Sequence, residues 1–270
     1  MRRTDLRHRR RSGRVPVSDN SASYRVAIVT GAAAGIGAAC SRRLAKQGVA
    51  VAVLDLDAGR CADTVAAIRD AGGTALAVGA DVADRASVKA AVAQVRETLG
   101  AISILVNNAG VTDFTPFEDV TDARWDFIYA VNVRGPFIMT QECLPDMKAA
   151  GWGRIVNISS SSAQTGATSM IPYSSSKGAV VTMTRSMAQE FGPYGITVNN
   201  IPPGSVMGTI MSEANRDRFQ IPTEVLLQSV PVRRLGEPDD IANACAWLCH
   251  EDSGYVTGQT IGVNGGRVVS

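Results

Sequence analysis

Residues 30–37 read TGAAAGIG, directly after the apolar run Val26–Val29 and before a segment of helical pattern. Gly31 permits a tight turn, Gly35 lets the backbone approach a diphosphate, and Gly37 lets the next helix pack close. A helix N-terminus at that point faces the negative charge. The spacing, G-x3-G-x-G, departs from the commoner GxGxxG form. Eighteen residues after Gly37, at the end of a second apolar run, Asp55 could accept hydrogen bonds from an adenosine ribose. Read alone, Asp55 also fits a helix cap.

A second group of residues lies downstream. Tyr173 and Lys177 are four apart in IPYSSSKGAVVTMTRSMAQEF, residues 171–191, so on a helix they share one face. Ser160 stands thirteen residues before Tyr173, within NISSSSAQTG, at the end of another apolar run. A strand–serine–helix–tyrosine order brings hydroxyl, phenol and ammonium to the edge that carries the glycine loop. By itself the YxxxK pair also fits a solvated helix surface. Asn132, in YAVNVRG, interrupts an apolar helical stretch where an amide needs a partner.

The elements that must position these groups are legible as alternating patterns. The runs 24–30, 49–55, 74–81, 102–108, 154–159, 196–201 and 260–263 are rich in β-branched residues and nearly continuous, as parallel strands covered on both faces should be. Segments such as SVKAAVAQVRETLG (87–100) separate them, with apolar residues at helical spacing and a closing Gly. Seven strands with helical crossovers predict an α/β fold with a doubly wound parallel sheet, helices on both faces, in one domain. Ligands of such sheets bind beyond the carboxyl ends of the strands, where the glycine loop falls.

The chain has 270 residues, 45% of them hydrophobic, enough for one sizeable core. No apolar run reaches membrane-span length and no signal-peptide pattern is present, so the expectation is a soluble, cytoplasmic protein. Five cysteines without CxxC spacing fit a reducing compartment. Cys245, Cys249 and His250 have metal-ligand types, but IANACAWLC reads as the buried face of an amphipathic helix, and no metal is expected. Seven of the 27 basic residues are arginines within residues 1–24, facing only Asp5 and Asp19. Residues 1–23 therefore read as a basic, disordered arm, and 24–270 as the folded domain. The slightly acidic remainder carries no basic stripe for nucleic acid.

Together these residues resemble the short-chain dehydrogenase/reductase family over 24–268. TGxxxGIG, Asp55, DV at 81–82, NNAG at 107–110, Asn132, Ser160, YxxxK, PG at 203–204 and VNGG at 263–266 occur in family order. Within the family the chain is most similar to 3-oxoacyl-[acyl-carrier-protein] reductase-like members. The resemblance implies a small-molecule secondary alcohol or ketone as substrate and a nicotinamide cofactor. That cofactor would be bound by Gly31, Ala34, Gly35, Ile36, Gly37, Asp55, Leu56, Asp81, Val82, Asn108, Ala109, Gly110, Tyr173, Lys177, Pro203, Gly204 and Val206. It implies Tyr173 as general acid–base, Lys177 as ribose ligand and phenol-acidifying cation, Ser160 as donor to the substrate oxygen, and Asn132 as holder of a relay water. An ammonium at ~4 Å favours phenolate by about 4 kcal/mol at an effective dielectric near 20, which would bring the phenol from ~10 to ~7.

NAD(H) is expected over NADP(H), because Asp55 would repel the extra phosphate and neither Ala34 nor Leu56 supplies a cation. Gly208 stands where the family usually has threonine, with Thr209 following. Acyl-carrier-protein reductases tend to carry arginines where this chain has Gly151 and Tyr194, although Arg154 and Arg185 are nearby. The favoured substrate is thus a 3-oxoacyl or 3-hydroxyacyl compound, chosen by residues 205–230 as a lid. A polyol or cyclic alcohol and a non-catalytic nucleotide sensor are the alternatives. A homotetramer is expected, with interfaces on 121–148, 173–191 and the C-terminal strand region.

Overall fold

A computed structural model describes residues 25–209 and 222–269. The basic arm and the 210–221 portion of the expected lid lie outside the described residues. The chain alternates β1 (Val26–Thr30), α1 (Gly35–Ala45), β2 (Ala50–Asp55), α2 (Ala62–Asp70), β3 (Ala75–Gly79), α3 (Arg85–Leu99) and β4 (Ile104–Asn107). There follow α4 (Asp122–Tyr129), α5 (Gly135–Ala150), β5 (Gly153–Ile158), the single turn α6 (Ser162–Thr165), α7 (Ile171–Phe191) and β6 (Ile196–Ile201). Two helices, α8 (Thr223–Gln228) and α9 (Pro238–Leu248), complete the described set.

The strands form one parallel sheet in the order β3-β2-β1-β4-β5-β6. Alternate side chains of each strand feed two cores. Ala27, Val29, Val51 and Val53 pack with Leu44 of α1, Ile68 of α2 and Ile241 of α9. Val26, Ile28, Ala52 and Leu54 pack on the other face with Val92 of α3, Met139 of α5 and Phe191 of α7. Both faces are therefore dry, which is why the strands read as continuous apolar runs. The ends of β1 and β4 diverge in their connections, one toward β2 and the other toward β5. That switch point opens the crevice in which the site lies.

The expected seventh strand at 260–263 is not a strand. It touches β6 and the residues after it only at two bridges, Asn200 with Thr260 and Pro203 with Val263. Asn200 N–H donates to Gln259 O and Ile261 N–H to Asn200 O. The next rung would need an N–H from Pro202, which has none. The sheet consequently has six strands among the described residues.

Candidate active site

The turn after β1 is built around backbone proximity. Gly31 has φ +61°, and a Cβ there would come within 2.8 Å of Ala109 Cα. At Gly37 an added Cβ would lie 2.3 Å from Gly31 O and 2.6 Å from Asn108 Nδ2. Asn108 locks this arrangement by donating through Nδ2 to Thr30 O at 2.9 Å and Gly31 O at 3.0 Å. Thr30 Oγ1 in turn accepts the N–H groups of Asn108 and Ala109, both at 3.0 Å. The Asn108 amide expected on the adenosine side thus holds the glycine loop against the end of β4.

A cavity of about 1140 Å³ runs along the carboxyl ends of the strands. It is larger than the roughly 300–1,000 Å³ of ordinary small-molecule pockets. Among the residues read from sequence, it is lined by Gly31, Ala34, Gly35, Ile36, Asp55, Leu56, Asp81, Val82, Asn108, Ala109 and Gly110 on one side. Ser160, Tyr173, Lys177, Pro203, Gly204 and Val206 line the other. Gly37 and Asn132 do not reach it: the first packs beneath the loop, and the second is fully buried behind Gly110. Thr209 also lines the cavity, with its methyl facing Gly35, while Gly208 turns the chain at φ +66°. A tight glycine cradle, a helix N-terminus and a carboxylate at the end of β2 lining one cavity fit a dinucleotide.

Asp55 sits at the end of β2 with its side chain 11% exposed. Its Oδ2 accepts Ala33 N–H at 3.2 Å and its Oδ1 accepts Leu56 N–H at 3.0 Å. The sequence reading missed its third partner. Arg60 Nη1 lies 3.0 Å from Oδ1 and also lines the cavity. The intervening 3₁₀ turn Ala58–Cys61, capped by Asp57 Oδ1 accepting Gly59 N–H at 2.7 Å, folds Arg60 back onto the carboxylate. Only a cation at positions 34 or 56 had been considered, whereas the turn brings one from position 60.

At the other end, α7 presents Tyr173 and Lys177 to the cavity, 5% and 4% exposed. Ser160 lines the same cavity. Its Oγ accepts Ser162 N–H at 3.1 Å and Ser162 Oγ–H at 2.9 Å. Lys177 Nζ donates to Ile158 O at 2.9 Å and lies 5.8 Å from the Tyr173 ring centre. Burial pushes the phenol above its ordinary value, with Ser160 pulling the other way. Burial also drives the Lys177 ammonium down to about 8. In the protein alone the phenol is therefore raised and not acidified as expected, because desolvation dominates.

Asn132 lies in a π-helical turn, Ala130–Arg134, between α4 and α5. Its Nδ2 donates to Val111 O at 2.9 Å and to Ser176 Oγ at 3.0 Å, and its Oδ1 accepts Val111 N–H at 2.8 Å. Both amide donors are engaged, so the side chain braces the loop after β4 against α7. Ser176, absent from the sequence reading, completes that brace and donates to Tyr173 O at 2.7 Å. At Gly110 a Cβ would crowd Lys177 Nζ at 3.1 Å and Asn132 Oδ1 at 3.3 Å, so a larger residue would push these groups apart by a few tenths of an ångström.

Four other residues fall away from the site. Cys245 and Cys249 are buried in the core on α9 and just after it, while His250 Nδ1 faces Asp252 at 3.3 Å on the surface. Arg154, read as a possible docking residue, is 3% exposed and directs its guanidinium at backbone carbonyls, including Gly153 O at 2.9 Å. Among the described residues no helix is long and apolar enough to cross a membrane.

Known proteins of the same shape and sequence supply the family. A family profile described as enoyl-(acyl carrier protein) reductase matches residues 31–267. A subunit of hydroxy(phenyl)methylsuccinyl-CoA dehydrogenase from Thauera aromatica is 42% identical, covering 90% of this chain and 96% of its own. Acetoacetyl-CoA reductase from Cupriavidus necator is 36% identical over 90% of this chain and 98% of its own. A solved structure assigned to the short-chain alcohol dehydrogenases, from Sinorhizobium meliloti, superposes with TM-score 0.85 at 34% identity, covering 90% and 96% of the two chains. The chain belongs to the short-chain dehydrogenase/reductase family, as a nicotinamide-dependent oxidoreductase acting on CH–OH groups.

Proposed function

We propose that this protein interconverts 3-oxoacyl and 3-hydroxyacyl thioesters with NAD(H) as the preferred cofactor. The observation that carries the reading is the buried Tyr173–Lys177 pair, with half-buried Ser160, set into the same cavity as Asp55. The thioester assignment is supported by relatives whose names specify CoA-linked substrates.

The nicotinamide, when bound, exchanges a hydride with the carbonyl or carbinol carbon. This chain's residues handle the oxygen. Ser160 donates a hydrogen bond to it, and Tyr173 gives it a proton in reduction or takes one in oxidation. Lys177, held by Ile158 O, stabilises the phenolate left behind and reaches the nicotinamide ribose. Asn132 and Ser176 position the Gly110–Val111 backbone and the start of α7. Asp55, Ala34, Ile36 and Leu56 receive the adenosine half, Asp81 and Val82 flank the adenine, and Val206 lies by the carboxamide.

NAD(H) is favoured because a phosphate on the ribose would meet Asp55. A homotetramer is supported by Phe127, Phe137 and Ile171, large apolar side chains more than 40% exposed on α4, α5 and α7. The deciding assay measures kcat/KM for acetoacetyl-CoA with NADH against polyols and cyclic alcohols with NAD⁺. Efficient oxidation of cyclic alcohols without turnover of any acyl thioester would overturn the substrate assignment.

A further inference from the structure

We infer that Arg60 sets how sharply this pocket separates NAD from NADP, by competing with the adenosine ribose for Asp55. The inference rests on the dinucleotide reading proposed above. An ionised carboxylate offers about four acceptor positions. Two on Asp55 are taken by hydrogen bonds, from Ala33 N–H on Oδ2 and Leu56 N–H on Oδ1. A ribose with both hydroxyls free asks for the remaining two, but the Arg60 guanidinium stands 3.0 Å from Oδ1 as an ion pair. For the ribose to take both, that cation must give way.

The two N–H groups belong to the backbone of the glycine loop and of the end of β2, and cannot move without disturbing both. Arg60 can. Its side chain is 49% exposed on a flexible stem, and an ion pair that open to water is weakly held. NAD binding thus displaces the guanidinium, and part of the binding free energy goes into that displacement. For a ribose carrying a 2′-phosphate the balance reverses. Asp55 repels the phosphate, but Arg60 is already beside it and can turn its planar fork onto the phosphate oxygens. The other cations lining the cavity among the described residues are remote from this end: Lys177 lies beside Tyr173, and Arg267 donates to Ser205 Oγ. Among the described residues Arg60 is the cation placed to compensate the repulsion, so the pocket tolerates NADP more than Asp55 by itself would allow.

The two affinities should then move in opposite directions when Arg60 is removed. Dissociation constants for NAD⁺ and NADP⁺ would be measured by calorimetry on the wild type, Arg60→Gln and Arg60→Lys. In Arg60→Gln, NAD⁺ should bind about threefold tighter and NADP⁺ about tenfold weaker, one lost charged hydrogen bond. Arg60→Lys keeps the charge without the fork and should fall between; it also serves if the glutamine variant does not fold, its NADP⁺ affinity again dropping relative to NAD⁺. Equal weakening of both dinucleotides, or a ratio unchanged in the folded variants, would overturn the inference and leave Arg60 a structural brace. If neither dinucleotide binds the wild type, it is the cofactor reading itself that fails.

Discussion

Lys177 donates its ammonium proton to the carbonyl oxygen of Ile158, at 2.9 Å, across the gap between α7 and the end of β5. Among the described residues no carboxylate pairs with it, and its burial drives its pKa down to about 8 from 10.5. A cation whose folded pKa lies below its unfolded value costs stability wherever both forms are charged, here at pH 8 and below. The cost fades as pH rises from about 8 toward 10.5. Lys177→Met should therefore stabilise the protein at pH 7 by about 3 kcal/mol, raising the melting temperature by several degrees, while abolishing turnover. Thermal melts at pH 7 and pH 10 check this. A gain that grows with pH would contradict the sign.

Tyr173→Phe removes the one hydroxyl placed to exchange a proton with the substrate oxygen and keeps the ring's packing with Phe114 and Met170. Turnover should fall by about 10²–10⁴-fold, with dinucleotide affinity nearly unchanged. In the wild type, alcohol oxidation should climb through the alkaline range, because burial raises the phenol. Wild-type turnover in the phenylalanine variant would remove Tyr173 from the chemistry.

Gly37→Ala places a methyl 2.3 Å from Gly31 O and 2.6 Å from the Asn108 amide. Backbone must shift, so both stability and dinucleotide affinity should drop. Gly48→Ala is the control: its neighbourhood is open, and it costs stability only through its φ of +83°. Only the Gly37 variant should lose nucleotide binding, as read by calorimetry.

Arg154→Ala tests a residue that looked like a docking group and proved to be internal. Its guanidinium sits 4.2 Å over the Trp152 ring and donates to Gly153 O, His250 O at 3.3 Å and Glu251 O at 3.4 Å. Removal takes a donor from each, although His250 O and Glu251 O keep the N–H groups of Ser253 and Gly254, and with the lost packing on Trp152 it should cost about 1–3 kcal/mol of stability. Denaturant titration should show that loss, with kcat/KM of the folded enzyme unchanged. A selective rise in KM for carrier-bound substrate would restore a docking role. Lys148, 4.2 Å over the exposed Tyr194 ring, is the cation this surface does present.

The glycine loop, Asp55 and the Tyr173–Lys177 pair were legible because each depends on spacing along one strand or helix. What the sequence concealed depends on contacts between elements. Arg60 reaches Asp55 only through the 3₁₀ turn capped by Asp57, so the charge at the ribose end was misjudged. Asn132 was singled out as an amide needing a partner, yet which groups it would meet followed from the packing of α7. The 260–263 segment has the β-branched composition of a strand, but its pairing is interrupted by Pro202 on the neighbouring strand's extension, a fault invisible in the segment's own residues.

The π turn at Ala130–Arg134 carries one more residue per turn than the α-helices on either side. Deleting a single residue there, Val133 for instance, would let α4 and α5 join as one regular α-helix. The five residues of the π turn rotate the chain about as far as four α residues would, so Ile128 before it and Met139 and Cys143 after it would keep their core faces. What the deletion would remove is the widened turn in which Asn132 meets Val111 and Ser176. The extra residue thus serves the Asn132 brace and not the packing of the flanking helices. A one-residue deletion between Tyr129 and Gly135 should leave the fold standing and impair the site, whereas the same deletion inside α5 would rotate Met139 or Cys143 out of the core by about 100°.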